Sequence, residues 1–166
     1  MTLDTNVLGQ TVVHRIEKAV EGLPIELGHV SVTAREQRDA YKPPLGQRIP
    51  ETGVWGESMW DQSIYGGERE EDLFEKLLKI ISNGSFPRVG NRDGLSHGQQ
   101  NQLRDVMILV AHVRSGRDIF VTNETRAFGE KDSSLRQSLE SLCTTRIMNV
   151  KDFSHHCDAL RNENSN

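Results

Sequence analysis

Four acidic side chains stand at positions where carboxylates could gather around a divalent cation. Asp4, Glu36 and Glu124 each follow a predicted strand, and Asp105 lies near the start of an apolar helix. Carboxylates on one rim repel one another unless a cation lies between them, and hard oxygen ligands suit Mg²⁺ or Mn²⁺. Such a cation lowers the pKa of a bound water and stabilises the charge of a phosphodiester under attack. The pattern therefore favours metal-dependent phosphodiester hydrolysis.

These acids can meet only if the surrounding elements bring them together, and the first part of the chain predicts two strand–helix units. Apolar residues recur at helical spacing between Leu8 and Ala19. The predicted elements are a short strand over 2–4, a helix capped by Thr5 or Asn6 and stopped at 22–24, a strand over 25–32, and a helix over 33–40 with Glu36 in its first turn.

The second part of the chain continues this alternation. The predicted elements are a helix from Glu68 to 83–84, a helix over 99–114, a strand over 118–122, a helix marked by Leu135, Leu139 and Leu142, a strand over 147–150, and a helix over 151–160. Helices between successive strands predict an α/β fold with a mainly parallel sheet covered on both faces. Ligands bind at the carboxyl ends of such strands, where three of the four acids stand.

The chain length of 166 residues fits one domain with a single core. We assign residues 1–161 to this domain and 162–166 to a flexible polar tail. Prolines and glycines interrupt the pattern over 41–67, which predicts a long loop or insertion.

Composition narrows the class of protein. The chain has 35% apolar and 27% charged residues, a balance typical of globular proteins. No apolar run approaches the ~20 residues of a membrane span. The start of the chain lacks signal-peptide features, so we expect a cytoplasmic protein without a disulfide framework. Acidic residues outnumber basic ones by 24 to 20, so binding to nucleic acid would need a local basic patch or bound cations.

Two segments of the sequence resemble the PIN-domain nucleases. The run Leu-Asp-Thr-Asn-Val-Leu over 3–8 resembles the opening of that family, and Arg104-Asp105 with the run over 116–124 resembles its closing half. The resemblance is strong at these two ends and weak between about 41 and 98. It implies a Rossmann-like three-layer domain, metal-dependent cleavage of RNA and, in many members, a toxin paired with an antitoxin.

The resemblance also implies roles for individual residues. Asp4, Glu36, Asp105 and Glu124 match the catalytic acids that hold Mg²⁺ or Mn²⁺, and the expected supporting residues are Asn6, Thr122 and Asn123. The chain departs from the family pattern in its short opening strand, its longer middle, and Glu124. Glutamate stands there in place of the commoner aspartate, so its carboxylate reaches one methylene farther.

Each acid also has an ordinary structural interpretation. Asp4 could cap the first helix, and Asp105 could stabilise a helix dipole from its first turn. Glu124 could be a turn residue or support a ligand, and Glu36 could be a solvated acid. Asp93 is a rival candidate, although its Asp-Gly pair is typical of a turn.

The sequence gives weaker support for a chemical role of the other polar residues. Asp118 lies at the amino end of its strand and is expected to be structural, and His112 is expected to be packed and hydrogen-bonded. A zinc site of Cys143, His155, His156 and Cys157 is an alternative to core packing of the cysteines. Aromatic residues within 41–67 favour a satellite core or dimer contact over base stacking. The arginines near enough to the site in sequence to contact phosphate are Arg92, Arg104 and Arg126.

Three functions follow from these residues. The first is a metal-dependent endoribonuclease, either a toxin or an RNA-processing enzyme, which would bind RNA and could have an antitoxin-like partner or form a homodimer. The second is a non-catalytic PIN-like module that binds RNA or protein. The third is another phosphoryl-handling enzyme on a doubly wound sheet, although the chain lacks a glycine-rich phosphate loop.

Overall fold

A parallel sheet forms the centre of the protein in this computed structural model, which describes residues 1–36, 46–54, 58, 63–88 and 94–164. The strands of the described residues are β1 (Thr2–Leu3), β2 (Gly28–Val30), β3 (Gln47–Ile49), β4 (Glu51–Thr52), β5 (Ser63–Ile64), β6 (Ile119–Val121) and β7 (Arg146–Met148). The helices are α1 (Gln10–Val20), α2 (Ser31–Glu36), α3 (Glu68–Ile81), α4 (His97–Arg114), α5 (Thr125–Phe128), α6 (Ser134–Cys143) and α7 (Val150–Asn164), with a 3₁₀ turn at Thr5–Val7.

The five strands of the central sheet lie in the order β3-β2-β1-β6-β7, and every pairing is parallel. The chain builds outward from β1 to β3 and then returns to place β6 on the other side of β1. The strand order therefore reverses between β1 and β6, which is where open parallel sheets bind ligands. The prediction of an α/β fold with a mainly parallel sheet is confirmed.

Helices cover both faces of this sheet. Phe120 packs into a core with α3, α4 and α6, whereas the next residue, Val121, packs into a second core with α1 and α7. This division follows from the strand geometry, because successive side chains of a strand point to opposite faces. No described helix is both long and apolar enough to cross a membrane.

The helix α4 crosses the larger core and carries Asp105. Ser96 and Gln99 form a capping box, because Gln99 N donates to Ser96 Oγ and Ser96 N donates to Gln99 Oε1. The helix therefore begins at His97, two residues earlier than predicted. Asp105 is the ninth residue of α4, so it lies in the interior of the helix, away from the first turn, and the interpretation as a dipole partner is wrong.

The first helices also begin at other positions than predicted. Asp4 caps the short 3₁₀ turn, and α1 begins after Gly9 with no side-chain cap, so Thr5 and Asn6 do not cap it. The second strand ends at Val30, and α2 begins at once. Glu36 is therefore the sixth residue of α2 and lies beyond its first turn.

The segment predicted as a loop over 41–67 contains three short strands that the pattern did not predict. β3 extends the central sheet, and β4 pairs with β5 in a small parallel sheet of their own. The guanidinium of Arg114 connects this small sheet to α4, since it donates to the Pro50 carbonyl and to Thr52 Oγ1 and pairs with Glu70 at 3.5 Å. The tryptophans of the segment and Tyr41 lie outside the described residues.

His112 joins α4 to two strands at the amino edge of the sheet. Its Nδ1 lies 2.8 Å from Thr2 Oγ1, and its Nε2 lies 2.7 Å from Thr145 Oγ1. The Thr145 hydroxyl donates to the Asp118 carbonyl, so it accepts from Nε2–H, and Nδ1 is left to accept from Thr2. The imidazole is therefore packed, hydrogen-bonded and neutral, and the prediction for His112 is confirmed.

We expect His112 to make stability depend on pH. Burial, followed by the positive N-terminus and Arg117, lowers the pKa of His112 from 6.5 to about 3. Between these values the unfolded chain binds a proton that the folded protein does not, so the free energy of unfolding falls by about 1.4 kcal/mol for each pH unit of acidification. In urea denaturation across pH 3–7, the free energy of unfolding of His112→Gln should depend less steeply on pH than that of wild type, because this contribution is absent.

The exposed His97 on the same helix provides the control. His97→Gln should keep the wild-type dependence of stability on pH. Equal slopes in wild type and His112→Gln would contradict the neutral, buried imidazole.

Candidate active site

Asp4 lies at the carboxyl end of β1, at the reversal of strand order. It is 3% exposed, and donors from Thr5, Asn6 and Thr122 hold its carboxylate. Thr5 N donates to Oδ1 at 2.7 Å, while Asn6 Nδ2 and the Thr122 hydroxyl donate to Oδ2 at 2.6 and 2.7 Å. The carboxylate is therefore oriented and connected to both strands that meet at this point.

Thr122 is the centre of this network. Strand register places Leu3 opposite Val121, so the residues that follow each strand are neighbours. The Thr122 hydroxyl donates to Asp4 and accepts from Asn6 Nδ2 at 3.1 Å and from Glu124 N at 2.9 Å. Since Thr122 is fully buried, these bonds are shielded from water.

Asn6 and Asn123 extend the network toward β7. Asn123 N donates to Asn6 Oδ1 at 2.8 Å, and Val150 N donates to Asn123 Oδ1 at 3.3 Å. The three residues expected to support the site thus lie around Asp4 and fix the loop between β6 and α5.

Asp105 and Glu124 line one cleft of about 430 Å³. Arg126 lines it as well, together with Asn101 and Gln102 from the turn of α4 before Asp105. Residues three and four apart share one face of a helix, so these amides stand beside the carboxylate. The cleft combines two carboxylates, a guanidinium and several amides, a set that can hold a cation and a phosphate together.

Glu124 combines a structural and an available oxygen. It caps α5, because Arg126 N donates to its Oε1 at 2.7 Å. Within the described part of the chain no partner is recorded for Oε2. The structural interpretation is therefore correct for Oε1, whereas Oε2 can accept a hydrogen bond from a ligand.

The three predicted acids whose side chains the structure describes do not all line one cavity. Asp4 is not among the described residues that line the cleft, and Thr122 Oγ1 links it by hydrogen bonds to the backbone of Glu124. The side chain of Glu36 lies outside the described residues, as do Arg92 and Asp93. Among the side chains that the structure describes, no group of three His, Cys, Asp or Glu residues could hold a metal ion.

The donor set of the cleft nevertheless fits Mg²⁺ or Mn²⁺. Mg²⁺ retains several waters and is commonly bound through one or two carboxylates together with substrate phosphates. Asp105 and Glu124 supply two such carboxylates in one cavity.

The structure separates the other polar candidates from the cleft. Asp118 lies at the amino end of β6, at the opposite edge of the sheet, and lines another cavity with Glu26 and Arg117. Cys143 belongs to the core on one face of the sheet and Cys157 to the core on the other. Burial raises the pKa of Cys143 to about 12, so this thiol stays protonated, and the two cysteines cannot share a zinc ion.

Sequence reasoning missed a further acid at the carboxyl edge. Glu51 follows β3, is fully buried, and has its Oε2 3.2 Å from the hydroxyl of Ser31, which follows β2. Glu51 N also donates to Ser31 Oγ at 2.9 Å. An acid that follows a strand was the sequence signal for a candidate site residue. This signal did not identify Glu51, because β3 was not predicted.

Comparison of the chain with protein-family models, curated proteins and solved structures finds no match in any of the three.

The Thr122 hydroxyl should contribute more to stability than its methyl group. Thr122→Val removes one donor to Asp4, one of the acceptors of Asn6 Nδ2 and the acceptor of Glu124 N. We expect the free energy of unfolding to fall by about 2–3 kcal/mol, measured by urea denaturation. Thr122→Ser keeps the hydroxyl and should lose at most about 1 kcal/mol. Equal losses in the two variants would show that methyl packing, and not the hydrogen bonds, is responsible.

Proposed function

We propose that this chain is a metal-dependent endoribonuclease with a PIN-like, Rossmann-like fold. The observation that carries the proposal is the shared cleft of Asp105 and Glu124, two acids distant in sequence, beside the reversal of strand order where Asp4 is fixed. Asp105 and Glu124 would hold Mg²⁺ or Mn²⁺, with Asp4 and Glu36 completing the acidic site.

The chemistry needs both an activated water and a stabilised leaving oxygen. A bound Mg²⁺ or Mn²⁺ supplies these by lowering the pKa of water and balancing charge on the phosphodiester. The protein residues orient the substrate: Arg126 is positioned to donate to a phosphate oxygen, and the amides of Asn101 and Gln102 can hydrogen-bond to ribose or phosphate. The buried network around Thr122 prevents Asp4 from turning away.

The biological setting remains part of the proposal. A toxin of a toxin–antitoxin pair would arrest growth when expressed alone and would be rescued by its protein partner, whereas an RNA-processing enzyme would not arrest growth. The net charge of −4 favours RNA recognition through local cations and a bound metal rather than through a basic surface.

One observation favours the second candidate, a non-catalytic PIN-like module that binds RNA or protein. Both oxygens of Asp4 already accept hydrogen bonds from the protein, which uses much of the acceptor capacity of this carboxylate. In that module the Asp4 carboxylate would link the ends of β1 and β6 by hydrogen bonds, and no metal would be bound.

Neutralising the two cleft acids tests the nuclease directly. Asp105→Asn and Glu124→Gln keep the shape of each side chain, and a glutamine at 124 can still accept from Arg126 N. We expect each variant to lower kcat for Mn²⁺-dependent cleavage of a mixed RNA panel by about two orders of magnitude. Each should also weaken Mn²⁺ binding measured by calorimetry, and EDTA should abolish wild-type cleavage.

Asp118→Asn is the matched control, because it removes an exposed acid at the opposite edge of the sheet. Its cleavage rate should equal that of wild type. Asp4→Asn is a poorer choice, since its amide would face the donors Asn6 Nδ2 and Thr122 Oγ1 and lower stability. Absence of both Mn²⁺ binding and cleavage in the wild-type protein would reject the nuclease in favour of the binding module.

A further inference from the structure

An open groove of about 1250 Å³ runs between α3 and α6. Lys76 and Lys79 project into it from α3, and Gln137, Ser138 and Ser141 line it from α6. Lysines three residues apart lie on one face of a helix, so both ammonium groups can face the same ligand.

The charge of this groove is opposite to that of the chain. Its described lining includes two lysines and no carboxylate, although the chain as a whole carries a net charge of −4. Lys76 pairs with Asp72 one turn earlier, but both side chains are more than half exposed, and such pairs contribute little. Within the described residues no ion-pair partner is recorded for Lys79. The groove therefore complements an anionic ligand with hydrogen-bond acceptors.

Both the groove and the acidic cleft are lined by residues at the end of α3. Ile80 lines the groove, and the next residue, Ile81, lines the cleft. At about 1.5 Å per residue, the distance along the axis of α3 from Ile81 back to Lys76 is roughly 8 Å, which is about two nucleotides at the roughly 3.4 Å spacing along one strand. A chain of phosphates that enters the cleft could thus continue along the lysines.

From this charge and this proximity to the cleft we infer that the groove between α3 and α6 binds the phosphate backbone of single-stranded RNA next to the nucleotide that is cleaved. This inference rests on the proposed nuclease function. Lys79 also lies in the last turn of α3, where a cation favours the helix dipole, so the experiment must separate RNA binding from helix stability.

The test compares Lys79→Glu with Lys18→Glu by steady-state cleavage. Lys18 is likewise an exposed lysine in the last turn of a helix, but its helix α1 covers the other face of the sheet. With a ten-nucleotide RNA, Lys79→Glu should raise KM about five- to tenfold and change kcat less than twofold. The salt dependence of its affinity should weaken by about 0.7 in the log–log slope, the loss of one phosphate contact.

A dinucleotide substrate provides the internal control, because its single phosphate occupies the cleft alone. Its kinetics should be unchanged in Lys79→Glu, and Lys18→Glu should match wild type on both substrates. Lys79→Gln repeats the test without charge reversal, and circular dichroism melts establish that each variant is folded.

Two outcomes would overturn the inference, and they are distinguishable. If wild type cleaves RNA but Lys79→Glu and Lys79→Gln behave like Lys18→Glu, the groove does not bind the substrate and the nuclease assignment stands. If wild type neither cleaves nor binds the ten-nucleotide RNA, the nuclease assignment and the groove fail together.

Discussion

The shortness of β1 is the constraint on which the rest of the structure depends. This strand has only two residues, yet it is the middle strand of the sheet and pairs with neighbours on both sides. Backbone bonds alone are few here, so side chains reinforce each end of the strand. His112 bonds to Thr2 at the amino end, and Thr122 bonds to Asp4 at the carboxyl end. Both bonds are buried, where unpaired groups would be costly, and they hold the two halves of the sheet in register.

This reinforcement shapes the candidate site. Asp4 is oriented because the sheet needs its carboxylate as an acceptor, and the same bonds limit what that carboxylate can offer a cation. Asp105 and Glu124 differ from Asp4 because they line an accessible cleft, and Glu124 Oε2 has no recorded partner among the described residues. A division of roles follows, in which Asp4 links the strands by buried hydrogen bonds and Asp105 and Glu124 line the cleft. The proposed chemistry depends on that division.

The periodic helices were predictable, whereas the short elements were not. The apolar spacing from Leu73 to Ile80 and from Leu103 to Val113 predicted α3 and α4 to within a few residues, because each helix buries one or more faces over many turns. The strand β3 has three residues and only one buried side chain, so no alternation revealed it. The start of α1 was also missed, because Asp4 caps a separate 3₁₀ turn.

By itself the sequence determined the α/β alternation and the position of an acid after β1 and after β6, since both are local patterns of burial and spacing. Tertiary structure alone decided that Asp105 shares a cleft with Glu124, that Thr122 donates a hydrogen bond to Asp4, and that β3 extends the sheet. These features depend on contacts between residues far apart in the chain. Such contacts form only when the strand order brings the carboxyl ends of β1 and β6 together, and no local pattern encodes that distance.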